Sequence, residues 1–504
     1  MMNERASGIL LHPTSLPGKY GIGTLGKAAF NFIDFLTKAK QQYWQILPLG
    51  PTGYGDSPYQ CYSAHAGNPD LINLELLVKY GLLTNDDLNS MPHFPQGEVQ
   101  YELVQKSRLP LLLKAFHAFG EHAPDLDKLA YRNFLKSHAA WINDYALFRA
   151  IKEESGNLPW YNWAKELRTR NHDALKAAEN RLSGKTDFHK FLQFLFAKQW
   201  QSVKEYAKKH KILIIGDIPL YISPDSTDAW ANPDVFEYDE NLQPLRVGGV
   251  PPDYFSETGQ LWGNPLFRWD AMKNNDYKWW MDRIRTNLTL YDVIRIDHFR
   301  GFAAYWAVPY GEETAVRGEW IPGPGKDFFH ALRKEFGKLP IIAEDLGVMT
   351  PDVEDLRDSF GLPGMKILEF AFDSSEENDY IPYNYTKNCI VYSGTHDNDT
   401  VVGWFAKASE ADRKQVLAYI NNDGKDIHWS FVRLAWSSVA NTAIVPMQDL
   451  LGLDSSTRMN LPGTVGGNWK WRAKEGDFPD ELAGALADLT VLFGRTKKTT
   501  SKPK

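Results

Sequence analysis

The chain has little cysteine and no long apolar run, and each absence excludes a class of protein. Only two of the 504 residues are cysteine, Cys61 and Cys389, and they stand far apart in no CxxC spacing. Neither a disulfide framework, a zinc site nor redox chemistry is therefore indicated. The N-terminus lacks the basic-then-apolar pattern of a signal peptide, and no run of about 18 apolar residues occurs. We expect a soluble, intracellular protein without a membrane partner.

A strong positive charge is also missing. Lys and Arg number 56 against 63 Asp and Glu, so the net charge is -7, and the pI is near 6.0. The only basic run is the terminal KKTTSKPK. Nucleic acid is therefore not expected as a partner. Aromatic residues are abundant, with 17 Trp, and their rings serve either as core or as platforms that stack on sugars.

Eight short apolar segments recur along the chain and are mostly separated by helical patterns such as 27–38, 326–336 and 410–420. The segments are residues 8–12, 43–49, 211–220, 293–297, 340–345, 365–370, 389–394 and 443–447. Alternating strands and helices favour parallel βα units. This pattern predicts the α/β class and a (β/α)8 barrel that forms one elaborated domain over residues 1–504.

Three segments depart from this pattern. Residues 70–209 read as helical throughout, which predicts a helical insertion between strands 2 and 3. Residues 222–265 are rich in Pro, Gly, Asn and Asp, and we interpret them as a long irregular loop that covers the substrate. The tail 494–504 is polar, and we expect it to be frayed.

Charged residues end three of the apolar segments. In DVIRIDHFRGF, alternation along a strand places Val293, Arg295 and Asp297 on one face. Glu344 follows the apolar segment of LPIIAEDLG, and Asp397 follows that of IVYSGTHDND. Carboxylates at the C-terminal ends of barrel strands are what a hydrolase or transferase acting on glycosidic bonds needs.

The neighbours of these acids suggest different roles for them. A guanidinium beside Asp297 keeps a nucleophilic carboxylate ionised, whereas the alternative, an Arg295–Asp297 ion pair kept for stability, contributes little once desolvation is counted. Glu344 follows apolar residues, so partial desolvation can raise its pKa and make it a proton donor. Asp345 points to the opposite side if the strand persists, which favours Glu344.

Two motifs suggest a cofactor or a metal at first sight. GIGTLG, at 21–26, matches GxGxxG, but a Pro-interrupted segment separates it from the strand, and no acidic residue follows at the expected spacing. THDND contains metal-ligand types but no second cluster at ligand spacing, so structural calcium is only an alternative. We therefore expect neither a cofactor nor a metal.

The chain resembles the 4-alpha-glucanotransferases called amylomaltases or disproportionating enzymes, of the alpha-amylase clan. The resemblance rests on GILLHPTSLPGKYGIGTLG, PTGYGDSPYQ, GDIPLYI, GVPPDYFSETGQLWGNPLF, RIDHFRGF, AEDLG, GTHDNDT and RMNLPGTVGGNWKWR, which together span nearly the whole chain. It implies a (β/α)8 barrel with helical and loop insertions and no C-terminal β-sandwich.

The resemblance also implies an activity and its partners. It implies retaining transfer of α-1,4-glucan segments from malto-oligosaccharides, or from starch or glycogen, to the 4-hydroxyl of an acceptor glucan or glucose, without a cofactor. The start of the sequence favours bacterial cytoplasm, with the plastid stroma after processing as the alternative.

The resemblance further implies that Asp297 is the nucleophile, Glu344 the general acid/base and Asp397 the stabiliser. Arg295 orients Asp297, Tyr59 stacks under the donor sugar, and Tyr54 belongs to a remote glucan groove. The remaining substrate-binding positions that it implies are Asp217, Trp262, Asn264, His298, His396 and Asn460. Independently of the resemblance, we expect the polar loop 246–265 to bind substrate through Asp253, Tyr254 and Phe255. Two rivals stay open at this point, namely an α-glucan hydrolase with the same acids and a glycogen-binding protein without activity.

The expected absence of a metal gives a first prediction. Transfer activity is expected to survive exhaustive dialysis against EDTA, because none of the implied steps needs a cation. Dialysis against buffer alone is the control. Activity that is lost with EDTA and returns with Ca²⁺ contradicts the interpretation of THDND as a metal-free segment.

Overall fold

The computed structural model describes residues 4–252, 256–347, 349–373 and 378–497. The strands in these ranges are β1 (Ala6–Leu10), β2 (Tyr43–Gln45), β3 (Leu213–Pro219), β4 (Arg246–Val250), β5 (Gln260–Pro265), β6 (Val293–Asp297), β7 (Ala304–Pro309), β8 (Glu319–Pro322), β9 (Ile341–Ala343), β10 (Gly364–Ile367), β11 (Cys389–Tyr392) and β12 (Thr442–Pro446).

The α-helices in the same ranges lie mostly between strands. They are α1 (Lys27–Lys38), α2 (Leu74–Lys79), α3 (Asn85–Asn89), α4 (Tyr101–His122), α5 (Asp125–Ser137), α6 (Ile142–Glu154), α7 (Lys165–Arg168), α8 (His172–Arg181), α9 (Ser183–Lys209), α10 (Thr227–Ala231), α11 (Trp269–Lys273), α12 (Lys278–Leu290), α13 (Gly325–Phe336), α14 (Pro351–Ser359), α15 (Val401–Lys407), α16 (Glu410–Ile420), α17 (Ile427–Ser437), α18 (Met447–Leu450) and α19 (Asp480–Leu492).

The predicted (β/α)8 barrel is confirmed. Eight strands form one parallel sheet in the order β10-β11-β12-β1-β2-β3-β6-β9. The two ends of this order meet where the Ala343 amide donates to the Pro363 carbonyl at 3.0 Å. The barrel strands are buried on both faces, because side chains fill the interior and helices cover the outside. All eight apolar segments therefore became barrel strands.

The segment 222–265 is not the irregular loop that its composition suggested. It contains α10, β4 and β5, and the last two join β7 and β8 in an antiparallel sheet of order β5-β4-β7-β8. One face of this sheet packs on the barrel, since a Cβ added at Gly248 would lie 2.8 Å from the Tyr221 ring. No alternation of apolar and polar residues indicated a strand here, because β4 is RVGGV and two of its five residues are glycines without side chains.

The segment between β2 and β3 holds α2 to α9. Its longest helix, α9, contacts α6, α5 and α4 as well as α1 and β3, so the inserted helices and the barrel wall share one continuous core. After β12, the described residues form α18, α19, short turns and loops rather than a sandwich. None of the described helices combines the length and the apolar character of a membrane span.

The expectation of a frayed tail from residue 494 is wrong at Arg495. This side chain is fully buried, and it donates to the carbonyls of Ala6 at 2.9 Å and Trp436 at 2.8 Å. It also bonds the Ala440 carbonyl at 3.0 Å. Its guanidinium thus joins the first barrel strand to the segment between α17 and β12. Residues 498–504 lie outside the described ranges.

Candidate functional site

Three carboxylates stand at the carboxyl ends of barrel strands. Asp297 is the last residue of β6, Glu344 follows β9 directly, and Asp397 lies five residues beyond β11. Because β6 and β9 are neighbours in the parallel sheet, Asp297 and Glu344 emerge at the same edge of the barrel. All three belong to the set of site residues predicted from the sequence.

The Arg295 guanidinium joins two of the predicted carboxylates. Its Nη1 donates to Oδ2 of Asp217 at 2.6 Å and to Oδ1 of Asp297 at 2.9 Å. Both aspartates can approach it because β3 and β6 are paired with Asp217 opposite Arg295. Burial raises the pKa of Asp217 to about 6, although Arg295 lowers it. Asp217 is fully buried, whereas the Asp297 side chain is 28% exposed and accessible from the cleft.

The approach of these strands depends on a glycine before Asp217. A Cβ added at Gly216 would lie 2.1 Å from the ring of Tyr291, a distance that side-chain carbon atoms cannot adopt. The ring of Tyr291 covers this position, and its hydroxyl accepts a hydrogen bond from the Leu49 amide at 3.3 Å. The glycine of GDIP therefore allows β3 to carry Asp217 into the site.

Glu344 is held by two backbone amides at the end of β9. The His298 amide donates to its Oε2 at 2.6 Å, and the Leu346 amide donates to its Oε1 at 2.8 Å. His298 has a left-handed backbone, with φ 54. Burial and the charge of Asp297 raise the pKa of Glu344 to about 7, although Arg295 and the two amides counteract them.

Asp345 takes the opposite direction, as strand alternation predicts. Its carboxylate pairs with Arg357 at 2.6 Å and accepts a hydrogen bond from the Met365 amide at 2.7 Å. The two adjacent acids therefore differ in environment. Glu344 faces the site, whereas the carboxylate of Asp345 is occupied by its bonds to Arg357 and the Met365 amide.

Asp397 is ionised by a different arrangement. His396 Nε2 lies 3.3 Å from its Oδ2, and the Asn460 amide donates to its Oδ1 at 2.6 Å. Burial alone raises the pKa of Asp397, but His396, Asn460 and Arg295 outweigh it and bring the pKa to about 2. The same contact raises the pKa of His396 against the effect of burial. Two carboxylates of one site thus differ in pKa from about 2 to about 7.

Aromatic rings line the same cleft. The Tyr59 ring stacks on His396 with centroids 5.1 Å apart, and the Tyr59 hydroxyl donates to Oδ2 of Asp217 at 2.8 Å. On the side of the small sheet, Trp262 packs edge-on against His298 at 4.7 Å. Burial lowers the pKa of His298 to about 4, so this ring is neutral at pH 7. Such rings can pack an apolar face against a sugar while their polar atoms form hydrogen bonds.

Some predicted residues are not part of this cluster. Tyr54 is 76% exposed, and the buried Asn264 uses its amide to bond the Ile222 carbonyl at 2.6 Å. The predicted residues Asp253, Tyr254 and Phe255 lie outside the described residues. Their substrate contacts stay a sequence prediction.

Sequence reasoning missed two residues beside the cluster. Arg458 Nη2 donates to the Asp397 carbonyl at 2.5 Å. The Trp469 ring lies 5.8 Å from that of Tyr59 and 5.9 Å from that of His396. Both residues lie in RMNLPGTVGGNWKWR, which was noted only as a motif. The signal that could have found Trp469 is its aromatic type within that glycine-rich segment.

The described ranges contain no group of three or more His, Cys, Asp or Glu side chains that could hold a metal ion. Cys61 and Cys389 are free thiols. Burial raises the pKa of each thiol to about 12, so both stay protonated at neutral pH and are poor nucleophiles.

Comparison with known proteins places the whole chain in one group. A family model described as "4-alpha-glucanotransferase" matches residues 11–477. A 4-alpha-glucanotransferase of Synechocystis sp. is 51% identical over 501 residues, which cover 98% of this chain and 99% of that protein. One of Thermus thermophilus is 47% identical over 499 residues, covering 97% of this chain and 99% of that protein.

A solved structure is also similar. The amylomaltase from Streptococcus agalactiae in complex with acarbose superposes with a TM-score of 0.95 at 41% identity. The match covers 98% of this chain and 100% of that one. The similarity therefore extends over the barrel and the inserted segments together.

The pKa of Glu344 gives a prediction that can be measured without substrate. In Asp297→Asn the pKa of Glu344 is expected to fall below about 7, because the negative charge that opposes its ionisation is removed. Infrared difference titration measures it, and Glu344→Gln identifies the band. The matched control is Asp345→Asn, which neutralises the adjacent carboxylate on the other side and is expected to leave the midpoint in place. An unchanged midpoint in Asp297→Asn contradicts the coupling.

Proposed function

The chain belongs to the 4-alpha-glucanotransferase family, and we propose that it transfers α-1,4-glucan segments by retaining double displacement with Asp297 as the nucleophile. The observation that carries this proposal is that three acids at strand ends have different contacts and that the pKa values of two of them differ. Arg295 binds Asp297, burial raises the pKa of Glu344 to about 7, and His396 and the Asn460 amide lower the pKa of Asp397 to about 2. A nucleophile, a proton donor and a charge stabiliser are what the reaction requires.

In the first step, an oxygen of Asp297 attacks the anomeric carbon of the donor. Glu344 gives its proton to the glycosidic oxygen, so the bond to the reducing-end fragment breaks and that fragment leaves as an alcohol. The product is a glycosyl ester of Asp297. The raised pKa of Glu344 supports this role, because at a pKa of about 7 the acid is largely protonated in mildly acidic solution.

In the second step, Glu344 acts as a base. Its carboxylate takes the proton of the acceptor's 4-hydroxyl, whose oxygen attacks the anomeric carbon and releases the Asp297 carboxylate. Two inversions at the same carbon retain the configuration. Glu344 gave its proton to the leaving alcohol in the first step, and the proton that it takes from the acceptor in the second step restores its protonated form for the next cycle.

Asp397 and Tyr59 act on the sugar ring rather than on its leaving group. The Asp397 side chain is 41% exposed, so its carboxylate can accept hydrogen bonds from sugar hydroxyls, and these bonds strengthen as positive charge develops on the ring. Tyr59 lies against His396 and Trp469, where its free face can stack on a sugar. Arg295, His298 and His396 complete this pocket.

The substrates we propose are malto-oligosaccharides and starch- or glycogen-derived α-1,4-glucans, with glucose among the acceptors. We place the reaction in the cytoplasm, or in the plastid stroma of a processed form. The rival with the same acids is a hydrolase. Trp262, on β5 of the small sheet, supports transfer because it adds an apolar ring beside His298, where an acceptor sugar can displace water.

The products from maltotriose test the proposed activity. A transferase converts maltotriose into glucose and longer chains, because the acceptor is another glucan. A hydrolase yields only shorter chains, and a binding protein yields no product at all. Chromatography of the products over time separates these outcomes, and either of the last two contradicts the proposal.

The roles of the two central acids are tested with an α-maltosyl fluoride donor, whose leaving group needs no proton. Glu344→Gln is expected to accumulate a covalent adduct on Asp297, since the acceptor then lacks its base. Intact-protein mass spectrometry and peptide mapping detect the adduct, and Asp297→Asn is the control that forms none.

The rate of transfer on maltotriose tests all three acids. Asp297→Asn, Glu344→Gln and Asp397→Asn are each expected to lower this rate by several orders of magnitude. Normal transfer by a folded Asp297→Asn protein would falsify the assignment.

A further inference from the structure

The loop that carries Asp397 is tied to a segment more than fifty residues later in the chain. Ser455 Oγ donates to Oδ2 of Asp399 at 2.8 Å, and the Asn460 amide nitrogen of the backbone donates to the His396 carbonyl at 3.0 Å. With the side-chain bond from Asn460 to Asp397, the residues 455–460 hold both ends of 396–399. This segment follows the last barrel strand and lies outside the βα repeat.

Arg458 is the centre of this tie. Its Nη2 donates to the carbonyl of Asp397 at 2.5 Å, and its Nε donates to the carbonyl of Asn460 at 2.8 Å. One rigid guanidinium therefore sets the spacing between the backbone of Asp397 and the backbone of the residue whose amide holds the Asp397 carboxylate. A lysine cannot reproduce this, because an ammonium is a point donor without the planar fork.

We propose that Arg458 is a positioning residue for glucan transfer, which fixes the backbone of Asp397 and Asn460 so that the Asp397 carboxylate meets the sugar hydroxyls in the transition state. This inference rests on the proposed function of Asp397. Arg458 itself reaches the reaction only through Asp397 and Asn460. A small displacement of a group that acts in the transition state reduces the rate more than it weakens binding.

A second property of Arg458 must be separated from its hydrogen bonds. The buried carboxylates of Glu369 and Asp449 and the half-buried carboxylate of Asp399 lie nearby. Burial and the charges of Asp449 and Asp399 raise the pKa of Glu369 well above its usual range, whereas Arg458 lowers it. Loss of the Arg458 charge therefore also alters this acidic cluster. Arg458→Lys keeps the charge and removes the fork, whereas Arg458→Gln removes both.

The test measures kcat and KM on maltotriose for Arg458→Gln and Arg458→Lys, with the thermal unfolding midpoint of each. For Arg458→Gln we expect kcat to fall about 10²-fold with KM changed by less than about threefold. For Arg458→Lys we expect an intermediate loss of about tenfold at an unchanged unfolding midpoint. The matched control is Arg285→Gln, which removes a surface arginine paired with Asp282 and Glu335 and leaves kcat unchanged.

The outcomes separate this inference from the proposed function. If Arg458→Gln does not fold, Arg458→Lys decides, and a wild-type kcat in a folded Arg458→Lys protein overturns the inference. A loss that appears in KM with kcat intact overturns it too, because it indicates a binding role. Asp397→Asn is measured beside them. Full activity in that variant removes the proposed role of Asp397 itself, whereas an inactive Asp397→Asn with a normal Arg458→Gln removes only the role of Arg458.

Discussion

The buried guanidinium of Arg295 holds Asp217 and Asp297 together at the base of the site. One of its nitrogens donates to both Asp217 and Asp297, and the hydroxyl of Tyr59 donates to the same oxygen of Asp217. A carboxylate without exposure, such as Asp217, is stable as an ion only when a partner of opposite charge stays beside it. The positions of the Asp297 carboxylate and of the Tyr59 ring therefore depend on the Arg295 guanidinium, and the pairing of β3 with β6 places that guanidinium.

Glu344 and Asp397, the other two acids of the site, have different surroundings. Glu344 meets backbone amides and the charge of Asp297, and burial dominates, so its pKa is about 7. Asp397 contacts His396 and Asn460, which hold its pKa at about 2. Titratable groups whose surroundings separate their pKa values can serve as acid and anion at one pH. The chemistry thus follows from the contacts of each carboxylate rather than from its residue type.

The parts that complete the site come from outside the barrel repeat. The small sheet of β4, β5, β7 and β8 brings Trp262 to His298. The segment 455–460 returns after β12 to brace Asp397. The sheet is inserted into the barrel repeat, and the segment 455–460 is appended after its last strand. Elements on a rigid barrel can thus be added without disturbing the strand ends that carry the acids.

The sequence by itself determined the barrel and the acids at its strand ends. Short apolar runs, helical periodicity such as that of Glu410–Ile420, and strand alternation are local properties, so they located the eight strands and separated Glu344 from Asp345. The roles proposed for these acids come from the resemblance to the family. Only the tertiary structure decided that β4 pairs with β7, that Arg495 is buried, and that Arg458 holds Asp397. These contacts join residues that are tens to hundreds of positions apart in the sequence. Local periodicity does not indicate which distant carbonyl a side chain will bond, nor with which distant strand a glycine-rich strand will pair.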